Sequence, residues 1–200
     1  MKKHDNSRRE FLRLAALGTA ALGLGTTGKL FAGKPERYAE IRPSGSKSVM
    51  DLACEPLETV RIAVIGLGMR GEDAVRRLLQ IEGVKINAVC DLMPAFVQEA
   101  NNKITKAGYK PAAEYTGETD WMKVCERDDI DLVYNCTPWY LHTPIAIHAM
   151  KHGKHAALEV PAAMTMEECW QLVDTAEETQ RHCMMLENCC YDFFELATLN

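Results

Sequence analysis

The chain has no apolar run long enough to be an obvious membrane span. It also has no excess of basic charge. The 23 Lys and Arg face 28 Asp and Glu, for a net charge of −5, which argues against nucleic acid as a partner. None of the eight cysteines forms a C-x-x-C pair, so neither a zinc ribbon nor a thioredoxin-like site is expected. The histidines His148, His152 and His155 fit no zinc motif and read as surface or helix-end residues, so no metal site is expected. What is present is ordinary for a soluble globular protein, at 47% hydrophobic and 26% charged. Two hundred residues allow one large domain, or one domain and part of another.

The N-terminus reads as a targeting segment. Ser7-Arg8-Arg9-Glu10-Phe11-Leu12-Arg13 resembles the twin-arginine export signal, and a weakly apolar stretch, Leu14 to Leu24, follows it. Leu30-Phe31-Ala32 is a candidate end for a signal peptide over residues 1–32. No Cys sits just beyond, so a lipid or other membrane anchor is not expected and the mature protein is placed in the periplasm. Residues 1–32 hold six of the 23 basic and two of the 28 acidic residues, leaving 17 against 26 and a charge of −9. Residues 33–58 contain Pro and Ser with little periodicity. They read either as a linker or as an arm lying on a partner subunit in a homo-oligomer.

From residue 59 the chain is organised around Val60 to Gly71. The run Val60-Arg61-Ile62-Ala63-Val64-Ile65 reads as a buried strand, and Gly66-Leu67-Gly68-Met69-Arg70-Gly71 fits G-x-G-x-x-G. Gly66 permits the turn, Gly68 lets a pyrophosphate approach the backbone, and Gly71 lets the next helix pack on the strand. That helix, expected over Ala74 to Gln80, aims its free N–H groups at the phosphates. The next strand, Val84 to Cys90, ends at Asp91, 20 residues past Gly71, where a carboxylate binds ribose hydroxyls and repels a 2′-phosphate. The motif thus points to NAD as cofactor. Twin-arginine export moves folded proteins, which suits a chain that must capture a nucleotide before leaving the cytoplasm.

Strand and helix then alternate. Helices are expected over 95–107, with Pro94 at the start and Gly108 at the end, and over 119–127, 144–151 and 165–180. The last opens with the capping-box pattern Thr165-Met166-Glu167-Glu168. Strands are expected over 110–116, 131–136, 155–158 and 183–186. Repeated β-α-β implies an α/β fold, a doubly wound Rossmann sheet over residues 59–188. Ligands bind beyond the C-terminal strand ends, where Asp91, Thr137-Pro138, Glu159 and Asn188 fall. Residues 189–200 read as the start of a second α/β domain. Several cysteines lie on buried strands and read as apolar packing; the vicinal pair Cys189-Cys190 is either redox-active or two buried free thiols, the latter preferred.

Thr137-Pro138-x-x-x-His142 and then Glu159-Val160-Pro161 resemble the Gfo/Idh/MocA oxidoreductase family, over roughly residues 59–200. The wider family carries E-K-P, and this chain has Val160 in place of the lysine. With Pro138-Trp139-Tyr140-Leu141-His142, Glu168-Cys169-Trp170 and Leu186-Glu187-Asn188-Cys189-Cys190-Tyr191, it is most similar to glycoside hydrolase family 109, the NAD-dependent α-N-acetylgalactosaminidases. The resemblance implies a glycan substrate ending in α-N-acetylgalactosamine. It implies transient oxidation of the sugar, elimination of the aglycone, water addition and re-reduction, with the cofactor retained. It places NAD contacts at Met69, Arg70, Asp91, Trp139, His142, Glu159, Val160 and Asn188, beside Gly66, Gly68 and Gly71. Several of these residues also have plainer readings. His142 is a site residue or a helix cap, Trp139 a nicotinamide neighbour or crevice wall, and Glu159 a nicotinamide contact or a loop anchor. Tyr191 lines the sugar pocket or packs in the core. The acid and base residues are expected mainly in the second domain. Two other readings stay open: an exported sugar oxidoreductase, and an inactive NAD-binding fragment.

Overall fold

The computed structural model describes residues 47–199, with the side chains of Tyr191 and Leu199 excepted. The export signal and the first part of the arm lie outside the described residues. Six strands form one parallel sheet: β1 (Val60–Ile65), β2 (Val84–Cys90), β3 (Ala113–Tyr115), β4 (Leu132–Asn135), β5 (His155–Leu158) and β6 (Cys183–Met185). Their order is β3-β2-β1-β4-β5-β6, so the chain reverses its winding direction between β1 and β4. The central strands are short and rich in Val, Ile and Ala because both faces are covered, and a half-exposed alternation would leave polar groups in the core. The register of β1 on β2 shifts after Ile62, so that Ile62 pairs with Ile86 but Ala63 with Ala88. Asn87, skipped by this bulge, donates its side-chain amide to the Asp129 carbonyl at 2.8 Å.

Helices α1 (Met69–Leu78) and α2 (Pro94–Lys106) cover one face, packing Val75, Leu78, Val97 and Ile104 on Ile62, Val64 and Val89. Helices α3 (Asp120–Cys125) and α4 (His142–Lys151) cover the other, packing Val124, Ile145 and Ala149 on Ala63, Ile65 and Val133. Helix α5 (Met166–Thr179) continues that layer, with Leu172 and Ala176 against Met150, Ala156 and Leu158. A short α6 (Phe193–Leu199) follows. Each fully buried Val or Ile contributes roughly 1.5–3 kcal/mol. Residues 47–59 hold neither helix nor strand. They lie along their own domain, where Gln180 donates to the Lys47 carbonyl at 2.8 Å and Val49 packs beside α5. Leu52–Leu57 form one wall of a groove of about 900 Å³ whose other wall includes Leu132, Tyr134, Ala157 and Met184.

Several boundaries differ from expectation; β3, for one, covers only Ala113–Tyr115 of the expected 110–116. α1 starts at Met69 rather than Ala74, with Gly71 inside the helix, because that glycine is needed where helix and loop touch. α4 starts at His142 rather than Pro144, since proline is tolerated in a first turn whose N–H groups have no helical partner anyway. α3 is shorter than 119–127, ending at Cys125 with Glu126 at its C-cap. The capping box at Thr165 and Glu168 is formed in both directions. The cysteines divide: Cys90 and Cys125 are buried, Cys136 and Cys183 partly so, while Cys54, Cys169, Cys189 and Cys190 are exposed free thiols. The vicinal pair is therefore not buried, because it sits on a short 3-10 turn beyond the last strand.

Candidate functional site

The crevice opens where the strand order reverses. Gly66 takes φ +86°, a conformation glycine adopts without strain. A Cβ there would also meet the Cys136 carbonyl and the Thr137 nitrogen at 2.7 Å, so the β1 turn lies directly against the exit of β4. A Cβ on Gly71 would stand 1.8 Å from the Gly66 carbonyl oxygen. Gly68 differs from both: a Cβ there meets nothing within 4 Å, so its open side faces free space. Gly68 also caps α1 without a side-chain bond, leaving the first-turn N–H groups without a side-chain partner. This combination of a tight turn, an open glycine and an uncapped helix start fits a pyrophosphate.

Asp91 stands at the end of β2. Its Oδ2 accepts from the Leu67 N–H at 2.6 Å and its Oδ1 from the Met93 N–H at 2.8 Å. Each carboxylate oxygen keeps a further lone pair, so the group can tie the glycine loop and still accept from ribose hydroxyls.

Across the switch point, Arg70 of α1 reaches the residue after β5. Its Nη2 lies 2.7 Å and its Nε 3.2 Å from Glu159 Oε2. Tyr134 of β4 donates its hydroxyl to Glu159 Oε1 at 3.2 Å. The carboxylate is buried, at 7% side-chain exposure, and the guanidinium is half exposed, at 46%. The hydrogen bond it donates to Glu159 holds the Arg70 guanidinium above its ordinary range. Burial raises the Tyr134 phenol. Tyr134 was not foreseen; its signal was a hydroxyl one residue before the end of a buried strand.

On the opposite side, His142 is 1% exposed. Its Nδ1 lies 2.7 Å from the Pro161 carbonyl and its Nε2 2.8 Å from the Thr137 carbonyl. Carbonyl oxygens only accept, so in either tautomer at least one ring N–H is donated here. The imidazole thus joins the loops after β4 and β5. It does not act as a side-chain cap on α4, which lacks one. Asn135, fully buried, was also missed. Its Oδ1 accepts from the Thr137 N–H at 3.0 Å and from the Thr137 hydroxyl at 2.7 Å, shaping the same exit. An amide closing an apolar strand was the available clue. The Val160–Pro161 peptide is cis.

The remaining candidates stand around this core. Met69 is 84% and Trp139 60% exposed, and Asn188 is exposed beyond β6. Val160 is half-buried beside Glu159. The Tyr191 side chain lies outside the described residues. His148 and His152 do lie at a helix end, and the structure adds one thing the sequence did not offer: with Glu126 they bring one ligand atom each within 4.8 Å of one another, because the two histidines are one helical turn apart and the glutamate arrives from a neighbouring helix.

Residues 60–187 match the family model for an oxidoreductase family, Gfo/Idh/MocA, with an NAD-binding Rossmann fold. An α-N-acetylgalactosaminidase of Bacteroides fragilis is 58% identical over 152 residues, which are 76% of this chain and 36% of that protein. A glycosyl hydrolase family 109 protein of Porphyromonas gingivalis is 56% identical over 160 residues, 80% of this chain and 34% of that one. The chain thus spans about a third of the length of these curated relatives. Among solved structures, myo-inositol 2-dehydrogenase of Lactobacillus plantarum superimposes with a TM-score of 0.61 at 24% identity, over 70% of this chain and 40% of that one. Scyllo-inositol dehydrogenase of Lactobacillus casei, with bound NAD(H) and scyllo-inositol, gives 0.61 at 20% identity over the same shares. Those two likenesses concern the fold. With the open glycine, the uncapped helix and the acid after β2 all at the switch point, the family match has its structural counterpart, and the chain belongs to the Gfo/Idh/MocA family of NAD-binding Rossmann-fold oxidoreductases.

Proposed function

We propose that this chain is the cofactor-holding part of an NAD-dependent glycosidase of the α-N-acetylgalactosaminidase type. The observation that carries the reading is the 58% identity to the Bacteroides fragilis α-N-acetylgalactosaminidase, over 152 residues or 76% of this chain. Val160 supports it further, because a conventional dehydrogenase of this superfamily is expected to place lysine there.

When bound, NAD supplies a reversible hydride acceptor, so that a sugar hydroxyl can be oxidised, the aglycone eliminated, water added and the hydride returned, with the cofactor retained. The chain's own residues prepare its place. Gly68 and the first turn of α1 receive the pyrophosphate. Asp91 receives the adenosine ribose and excludes a 2′-phosphate by charge. Arg70, Glu159 and Tyr134 hold the α1 start against the end of β5. His142 fixes the loops that carry Trp139 and Val160, which would stand toward the nicotinamide end. The catalytic base would come mainly from a second domain, with Tyr191 and His142 as this chain's candidates for the sugar pocket. Export by the twin-arginine route, with NAD already bound, completes the reading.

The test is release of p-nitrophenol from its α-N-acetylgalactosaminide by the full-length gene product, with no NAD added. Release that is lost when bound nucleotide is stripped and restored by NAD supports the reading. A protein that carries NAD yet releases nothing, and instead reduces added NAD stoichiometrically with a free sugar, overturns it in favour of a sugar dehydrogenase.

A further inference from the structure

α4 begins at His142 in the crevice and runs away from it. Ten residues at about 1.5 Å each carry its last turn roughly 15 Å off, toward the N-terminal ends of the parallel strands. There His148 and His152 stand at i and i+4, the spacing that puts two imidazoles on one side of a helix. Glu126, at the C-cap of α3, reaches the same point. Its Oε1 lies 3.2 Å from His148 Nε2 and 4.0 Å from His152 Nε2, and the three atoms all fall within 4.8 Å of one another.

We propose that Glu126, His148 and His152 form a binding site for a divalent transition-metal ion of the Zn²⁺ class, separate from the cofactor crevice. Four details support it. The first is size: ligands around a tetrahedral ion with bonds of about 2.0–2.1 Å stand about 3.3 Å apart, so the carboxylate and His148, at 3.2 Å, are already at that spacing, and His152 stands 4.0 Å from the carboxylate. The second is orientation. His152 Nδ1 lies 2.8 Å from the His148 carbonyl, which can only accept, so Nδ1 carries a proton and Nε2, on the side of Glu126, is the nitrogen available for a metal. The third is the field. The carbonyl end of α4 converges on the site, and its partial negative charge favours a cation. The nearest guanidinium in sequence, Arg127, is taken by Asp129 at 2.6 Å and by the Tyr115 hydroxyl at 2.9 Å, so it does not compete for Glu126. The fourth is support. Trp121 packs nearly perpendicular to the His148 ring, with centroids 5.4 Å apart, and limits its rotation.

Two imidazoles and one carboxylate make a borderline donor set, suited to Zn²⁺ and Co²⁺ rather than to Mg²⁺ or Ca²⁺. Three protein ligands leave the fourth position to water. On binding, His148 changes tautomer: Nε2 gives its proton to solvent while Nδ1 takes one up, so the ligand is a neutral imidazole and the Nε2 contact with Glu126 is replaced by two metal bonds. The ion would tie the C-terminal ends of α3 and α4 together.

The test is titration of the untagged, metal-free full chain with Co²⁺ and with Zn²⁺, followed by visible absorption and by calorimetry. One equivalent with the weak bands of nitrogen and oxygen ligands is expected. Affinity should fall at least about tenfold in Glu126→Gln and again in His152→Ala. Both residues are exposed, so the metal-free melting temperature should stay unchanged. Zn²⁺ should raise that temperature in the parent chain and not in the variants. Absence of binding overturns the proposal. So does strong sulfur-to-cobalt charge transfer, which would assign the ion to exposed thiols such as Cys189 and Cys190. An affinity unchanged in both variants does the same.

Discussion

Arg70 and Glu159, 89 residues apart in the chain, meet at 2.7 Å across the point where the sheet reverses its winding. The pair joins the first turn of α1 to the end of β5, and Tyr134 adds a second bond to the same carboxylate. Glu159→Gln keeps the size but removes the charge. Arg70 is half exposed and can turn to water, so stability should change by about 1 kcal/mol or less. Cofactor affinity of the full-length product should fall about tenfold or more, the equivalent of one charge-assisted hydrogen bond. Nucleotide titration beside thermal melting separates the two effects; an unchanged affinity would mean the pair does not organise the site.

The glycines of the loop should part in their behaviour. Gly71→Ala drives a methyl into the Gly66 carbonyl, and the chain should lose most of its native stability. Gly68→Ala meets no protein atom, so its melting temperature should match the parent's while NAD binding is lost. If Gly68→Ala binds NAD normally, the pyrophosphate does not lie on that side of the loop.

His142→Ala should be destabilising by about 2–4 kcal/mol. It opens a cavity where a fully buried ring stood and leaves the Thr137 and Pro161 carbonyls without their shared partner. Denaturant melts measure this directly. A loss below about 1 kcal/mol would show that the loops hold their places without the imidazole.

Asp131 should give the domain part of its acid sensitivity. Its carboxylate takes the Arg61 guanidinium at 2.5 Å and the Arg61 N–H at 2.8 Å, and the guanidinium bond holds it below the usual carboxylate range. A depressed folded-state pKa contributes stability that is complete above the unfolded value, about 3.9, and is lost as pH falls through the folded value. Arg61 is 40% exposed, so the contribution is about 1 kcal/mol or less after screening. Melting temperatures of the parent and Asp131→Asn should differ at pH 7 and converge at strongly acidic pH. A gap that persists in acid would point to packing instead.

Thiol labelling should divide the cysteines in half. Burial pushes Cys90, Cys125 and Cys136 up to about 12 and Cys183 to about 11, so their reactive thiolates are scarce at neutral pH. Cys54, Cys169, Cys189 and Cys190 are exposed. Mass spectrometry of the native protein treated with a maleimide should find these four modified first, and all eight after denaturation.

Local signals carried most of the fold. β2 and β5 run over the residues their apolar runs marked, and Thr165 caps α5 as its pattern indicated. The start of α1 was misplaced because glycine weighs against a helix by local preference, whereas Gly71 is held in one by contact with Gly66. The positions of Gly66, Asp91 and Glu159 at strand ends followed from alternation alone. Their partners did not. Nothing near Arg70 in sequence announces Glu159, and nothing near His148 announces Glu126. These pairings depend on which strand lies beside which, a matter of winding rather than of local pattern.

The crevice is assembled from segments that leave the ribosome far apart in time. The glycine loop emerges early, but its turn rests on Cys136 and Thr137, and Arg70 waits for Glu159. A nascent chain that stops short of residue 159 holds the phosphate loop without the contacts that set it. A dinucleotide that needs this crevice would therefore bind late in synthesis, after the sheet has closed from β1 through β5.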